Sequence, residues 1–296
     1  MINRAGLGIA CALGAAALYG LVPIFVRTAI EGGVSPIEST LFRTFVIAIV
    51  FAILAVAKSE PLSVPKGAWP SFIGQAIATF FVSVAYLASV QFIPVGLAVI
   101  IFYLFPVLIM LLAPLVEGRN PGLLRILIAI LAFCGLAVAV GPSFDSLDIR
   151  GILLAAMAAA GATLQFFSGR AISRYMTPAS FGSLVHVMIL PPILLISLIV
   201  GHGSLNFLPG GSATNLGLAF MCGVAAVYVV GYLGHMLSLR FSPASTVAPF
   251  YNLEPVVATL TAAGILGERL LINQYAGGGL VLAALVASSL LGRWKK

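Results

Sequence analysis

Charge is what this sequence has least of. Only 8% of its 296 residues are Asp, Glu, Lys or Arg and 61% are hydrophobic, whereas soluble domains carry roughly 25% charged residues. A water-soluble fold could not hide that much apolar surface, so a soluble enzyme or receptor domain is excluded. The excess of basic over acidic residues, 15 against 8, does not point to nucleic acid either. Cysteine is scarce too. Cys11, Cys134 and Cys222 fall in three separate apolar runs, and an odd, scattered set supports neither a disulfide frame nor a zinc site. They read as packing residues, and no metal is expected. A Gly-rich phosphate loop is missing, so ATP and other cofactors are not expected. The apolar run 7–30 is too long for the h-region of a signal peptide and lacks a small-residue cleavage site; it is expected to remain as a span.

What is present is a series of apolar runs of membrane length, about 20 residues each. Ten are expected: 7–30, 36–57, 68–92, 94–116, 122–141, 150–170, 178–200, 213–240, 243–267 and 273–292. The 31 glycines and 17 prolines suit this class, in which both are commoner than in soluble helices. Ten spans put both termini on one side. If that side is the cytoplasm, the inner flanks collect Arg4, Lys58, Lys66, Arg119, Arg125, Arg170, Arg174, Arg240, Arg293, Lys295 and Lys296. The outer flanks receive Arg27, Arg150 and Arg269, with most of the acids: Glu31, Glu38, Asp145, Asp148 and Glu268. That asymmetry obeys the positive-inside rule. It predicts a multi-pass protein of the cytoplasmic (inner) membrane with cytoplasmic termini, some of its basic excess lying against anionic lipid.

The chain repeats itself. At an offset near 143, Val26-Arg27 meets Gly169-Arg170, Arg43 meets His186, and Ser35-Pro36 meets Thr177-Pro178 one residue out of step. At an offset of 149, Pro94 meets Pro243, Pro106 meets Pro255, Tyr86 meets His235 and Tyr103 meets Asn252. Residues 1–145 and 146–296 thus read as two five-span repeats. An odd number of spans turns the second copy upside down. The expected fold is an all-α integral membrane protein of ten transmembrane helices in two inverted five-helix repeats. Inverted repeats are a mark of secondary transporters, whose site lies near the midplane where the repeats meet.

Ionisable groups inside the spans are few: Arg43, His186, His235 and Glu254. Such residues normally face a bundle interior or a water-filled path. Glu254, just before Pro255, reads as a proton-coupling carboxylate or the partner of a substrate ammonium; alternatively it orders a broken helix or pairs with Arg43. Arg43 could bind a substrate carboxylate bidentately, snorkel to the surface, or serve as a structural ion-pair partner. Tyr86, Tyr103 and Tyr251 lie well inside their spans, where a hydroxyl needs a partner. With Gln165, Asn252, His235 and Arg43 they form the expected substrate site. Pro94, Pro106, Pro243 and Pro255 are the expected hinges. Gly277-Gly278-Gly279 and the small residues from Ala155 to Gly161 permit close helix contact. Spans 5 and 10 carry no internal charge and look peripheral.

Val34-Ser35-Pro36 followed by Phe42-Arg43, the turn at Pro94, Phe241-Ser242-Pro243-Ala244, and Leu253-Glu254-Pro255 leading to Gly267-Glu268-Arg269 resemble the drug/metabolite transporter superfamily, specifically its ten-helix EamA-like type. The resemblance covers nearly the whole chain, with one departure. Glu117 follows Pro106 by eleven residues, where Glu268 follows Pro255 by thirteen, which puts a capping role for Glu117 in doubt. The resemblance implies export of amino acids and related metabolites, aromatic ones prominent among them. It also implies that a Glu at position 254 is common to members with different substrates. Charge points the same way: one interior Arg is too few for nucleotide sugars or sugar phosphates, and aromatic, amide and His side chains suit a neutral or zwitterionic solute with an apolar part. The alternative is efflux of cationic or aromatic drugs. An intramembrane serine protease built on Ser183 and His235 is remote, since no oxyanion motif accompanies them, and no charged ring or filter-like repeat suggests a channel. Expected partners are a small-molecule substrate and membrane lipid; the driving force is either the solute gradient or a proton, and the residues do not decide between them.

Overall fold

The computed structural model describes residues 4–141, 147–266 and 269–293. Asp145, Gly267, Glu268, Lys295, Lys296 and the side chain of Arg293 lie outside the described residues. The chain forms α1 (Arg4–Glu31), α2 (Pro36–Ala57), α3 (Trp69–Ser89), α4 (Val95–Phe102), α5 (Phe105–Val116), α6 (Leu123–Val140), α7 (Ile149–Ile172), α8 (Pro178–Val200), α9 (Asn215–Phe241), α10 (Ala244–Val247), α11 (Leu253–Leu266) and α12 (Ile272–Arg293). Among the described residues, eight stretches are long and apolar enough to cross a bilayer, α4 and α5 counting together. The ninth crossing is divided between α10, a 3-10 turn at Ala248–Asn252 and α11, and the tenth is α12.

Helix starts at the lipid–water boundary are capped by short polar side chains, which satisfy backbone N–H groups that lipid cannot. Ser35 and Glu38 form a reciprocal capping box on α2, and Thr177 and Thr214 accept from Ser180 N–H and Gly217 N–H at the starts of α8 and α9. Asp148 caps α7, and hydrogen bonds from the Arg150 side chain and N–H hold its carboxyl below the usual carboxylate range.

Two crossings are broken, at positions matched by the repeat. The fourth breaks at Tyr103-Leu104 and the ninth at 248–252. The expected hinge prolines do not kink continuous helices. Pro94 and Pro243 stand at the cap positions of α4 and α10, Pro106 is the second residue of α5, and Pro255 the third of α11. There the missing N–H is one the helix would not have bonded anyway.

The most extensive helix contacts join the halves: α1 with α9, α3 with α7, α6 with α12 and α2 with α8. Exchanging the repeats turns the first pair into the second and each of the other two into itself, the pattern of a pseudo-two-fold axis. Spans 5 and 10, expected to be peripheral, pair with each other. Glycine allows two of these contacts. A Cβ on Gly32 would lie 2.4 Å from Gly217 Cα, and one on Gly277 would lie 2.3 Å from the Gly135 carbonyl oxygen. Of the triple glycine only Gly277 makes this approach; a Cβ on Gly279 would meet nothing within 4 Å.

The loops repeat the exchange. On one face Asn206, in the α8–α9 loop, donates its N–H and its amide to Glu38. On the other, Thr177 donates to Glu60 and Ser180 to the Pro61 carbonyl, both in the α2–α3 loop. Each repeat therefore anchors the α2-type helix of the other.

Candidate substrate site

The two breaks bring aromatic side chains from both halves into one continuous cluster. Tyr86 packs on Phe102 with ring centroids 5.3 Å apart, Phe102 on Phe105 at 5.4 Å, and Phe105 on Phe166 at 5.3 Å. Phe166 then meets His235 at 4.6 Å and Tyr251 at 5.0 Å, and His235 lies 4.9 Å from Tyr251 and 6.2 Å from Tyr19. Helix α1 comes close because Gly20 sits against the Glu254 backbone, where a Cβ would lie 2.7 Å from its carbonyl oxygen.

Glu254 is half-buried on the first turn of α11. The Tyr103 hydroxyl lies within hydrogen-bonding reach of its carboxyl, and Tyr19, Tyr86 and Tyr251 are within electrostatic range. Arg43 does not neutralise it: among the described residues no ion pair joins them. The Arg43 guanidinium donates instead to Ser83 Oγ at 3.4 Å and lies 4.1 Å from the Tyr228 ring centroid, with Tyr228 5.1 Å from Tyr19. His186, the repeat partner of Arg43, is buried with Nδ1 2.7 Å from the Gly182 carbonyl and its ring edge-on to Tyr232.

Among the described residues, His235 Nε2 and Asn252 Oδ1 are buried with no hydrogen-bond partner, as are Tyr232 Oη and Ser39 Oγ. Leaving such a group unsatisfied costs about 1–3 kcal/mol. Asn252 donates its amide to the Pro249 carbonyl at 3.0 Å, holding the 3-10 turn, which leaves the oxygen free.

The structure thus brings together Tyr86, Tyr103, His235, Tyr251 and Glu254, with Asn252 on the turn between Tyr251 and Glu254 and with Arg43 two aromatic rings away, through Tyr228 and Tyr19. Gln165 is engaged elsewhere. It donates to Thr79 at 3.0 Å, one rung of a polar ladder between α3 and α7 that also holds Ser168 to Gln75 at 2.7 Å. Gln75, Thr79 and Ser83 recur every fourth residue on one α3 face, the spacing that makes them neighbours. Phe105, the bridge from Tyr103 to Phe166, was not singled out from the sequence; its place beside Pro106 was the available signal. The doubted capping role of Glu117 is real but lies across the repeat boundary: it accepts from Ala244 N–H at 2.7 Å.

Comparison with known proteins agrees with this architecture. The family model described as the EamA-like transporter family matches residues 6–141 and again 149–290. A relative from Archaeoglobus fulgidus, described as an uncharacterized transporter, is 25% identical over 252 residues, 84% of this chain and 86% of the relative. A crystal structure described only as that of a protein superposes with a TM-score of 0.83 at 16% identity, covering 97% of this chain and 98% of its own; it speaks to the fold alone. With the family's pattern present twice across nearly its whole length, the chain belongs to the EamA-like transporter family.

Proposed function

We propose that this transporter exports amino acids, aromatic ones among them, and related metabolites across the cytoplasmic membrane by alternating access, with both termini in the cytoplasm. The observation that carries the reading is the unpartnered, buried His235 Nε2 in an aromatic cluster between the repeats, with a second unpartnered atom, Asn252 Oδ1, on the 3-10 turn next to Tyr251. Aromatic faces suit the apolar part of the solute, and the free polar atoms suit its hydrogen-bonding groups. Glu254 and Arg43, unpaired with each other, are available to an ammonium and a carboxylate. Either histidine or Glu254 could carry a coupled proton. Efflux of organic cations is the second reading. It is favoured by a carboxyl set among tyrosines that has no cationic partner among the described residues, the chemistry that recognises ammonium groups.

The test is uptake of labelled phenylalanine, tryptophan and other amino acids by purified protein in liposomes, with and without a pH gradient. Saturable uptake of Phe or Trp supports the reading. Failure with every amino acid overturns it, and uptake of quaternary cations in its place would establish the second. Arg43→Gln refines the assignment. Losing a hydrogen bond to a charged group costs about 1.5–3 kcal/mol, so the KM for phenylalanine should rise on the order of tenfold to a hundredfold. The KM for its decarboxylated amine should stay within about twofold, since that solute gives Arg43 nothing to hold.

A further inference from the structure

Glu117 ends α5, yet its carboxyl is spent on the other repeat. Oε1 accepts the Ala244 N–H at 2.7 Å, and Oε2 accepts the Ser245 hydroxyl at 2.6 Å and its N–H at 3.4 Å. This joins the end of one broken crossing to the start of the other, on the face where α1 begins. Beside it Ser242 Oγ donates to the Ala5 carbonyl at 3.3 Å, and Gly8 sits so near that a Cβ would fall 2.2 Å from Ser242 Oγ.

Under this clasp runs a crevice lined by Ile9, Met110, Arg125, Thr246, Phe250 and Ser288. Its free space is about 10 Å³, at the lower limit of what holds a single water. Phe250, one of its lining residues, is the sequence neighbour of Tyr251 in the aromatic cluster. At the opposite face a recess of about 330 Å³ opens between α11 and α12, lined by Ala258, Thr259, Ala262 and Gln274 among others. Arg170, whose Nη1 donates to the Leu239 and Arg240 carbonyls at 2.7 and 2.8 Å, has Glu117 within electrostatic range.

We propose that the Glu117–Ala244–Ser245 clasp is the lock of the gate on the face that carries the N-terminus, and that the crevice beneath it is the closed half of the solute path. The inference rests on the alternating-access reading above. Closing the lock joins the fourth and ninth crossings; opening it lets them part and exposes Thr246 and Phe250 to water from that side.

The experiment is thiol labelling, which needs no substrate. Thr246→Cys is made in a chain with Cys11, Cys134 and Cys222 replaced by Ala, and a water-soluble maleimide is applied from the face of the termini. Losing charge-assisted hydrogen bonds should shift the gate about tenfold or more towards open. Labelling should therefore speed up about tenfold in Glu117→Ala, and by less in Glu117→Gln and Ser245→Ala, with thermal melting unchanged in the two milder variants. Equal labelling rates in all four proteins would overturn the gate, as would acceleration only where melting also falls. If Glu117→Ala does not fold, the two milder variants decide. Absent amino-acid uptake alongside the expected labelling would count against the substrate and leave the gate standing; normal uptake with unaltered labelling would do the reverse.

Discussion

Liposomes carrying Glu254→Gln protein should take up solute on the order of a hundredfold more slowly than the parent, while the protein melts at the same temperature or slightly higher. A charge at the bilayer centre costs about 2.5–3.5 kcal/mol on insertion scales, and no ion pair offsets that cost for Glu254 among the described residues. Glutamine has nearly the same shape and can still accept from Tyr103, so removing the charge should not destabilise the fold. Removing a group that solute or proton must meet, however, withdraws about 2–5 kcal/mol of interaction. If the carboxyl merely orders the broken ninth crossing, the outcomes exchange places: melting drops by several degrees and uptake by the surviving protein is normal. Melting curves and initial uptake rates, measured on one preparation at several pH values, separate the two. Coupling through Glu254 further requires that the parent respond to a pH gradient and that the variant not do so.

Gly277→Val should be the most damaging single change to the fold. A Cβ at position 277 would lie 2.3 Å from the Gly135 carbonyl oxygen and 2.4 Å from the Ala139 nitrogen. Both are backbone atoms, so no side chain can swing aside; α6 and α12 must separate. Overpacking costs typically about 1–3 kcal/mol and sometimes more, and in lipid no hydrophobic force presses parted helices together again. At about 2–4 °C of melting temperature per kcal/mol for chains of this order, a fall of about 5–10 °C is expected. Gly279→Val, two residues on and with open space around it, is the control and should melt within about 1 °C of the parent. Equal effects at both positions would show that helix propensity, not close approach, sets the cost.

Much of the fold was legible because lipid leaves few choices. Apolar runs of fixed length gave α2 and α8 at their observed bounds and the other spans within a few residues. The recurrence of Pro94 and Pro106 as Pro243 and Pro255 located both breaks. It could not say that the chain leaves the α-helix there, because a proline reads alike at a kink and at a helix start. The site was less legible. Tyr103, Tyr251, His235 and Asn252 stood out as polar groups far from water, and they do converge. Gln165 stood out for the same reason, yet it spends its amide on Thr79 across 86 positions of sequence, a pairing no local pattern announces. Glu117 was in doubt as a cap because its spacing from Pro106 differs from that of Glu268 from Pro255; spacing along one repeat cannot show that a carboxylate closing one crossing caps the start of its counterpart.

That exchange has a consequence for how the molecule is made. Glu38, near the start of the chain, accepts from Asn206, 168 positions later, and α1 and α3 find their main partners in α9 and α7. While a ribosome is still making the second half, the first five spans can enter the bilayer, but they have no finished packing to adopt. Their glycine faces wait in lipid for helices not yet synthesised. Folding is therefore a late event, and the chain stays a half-assembled bundle until the last crossing is in place.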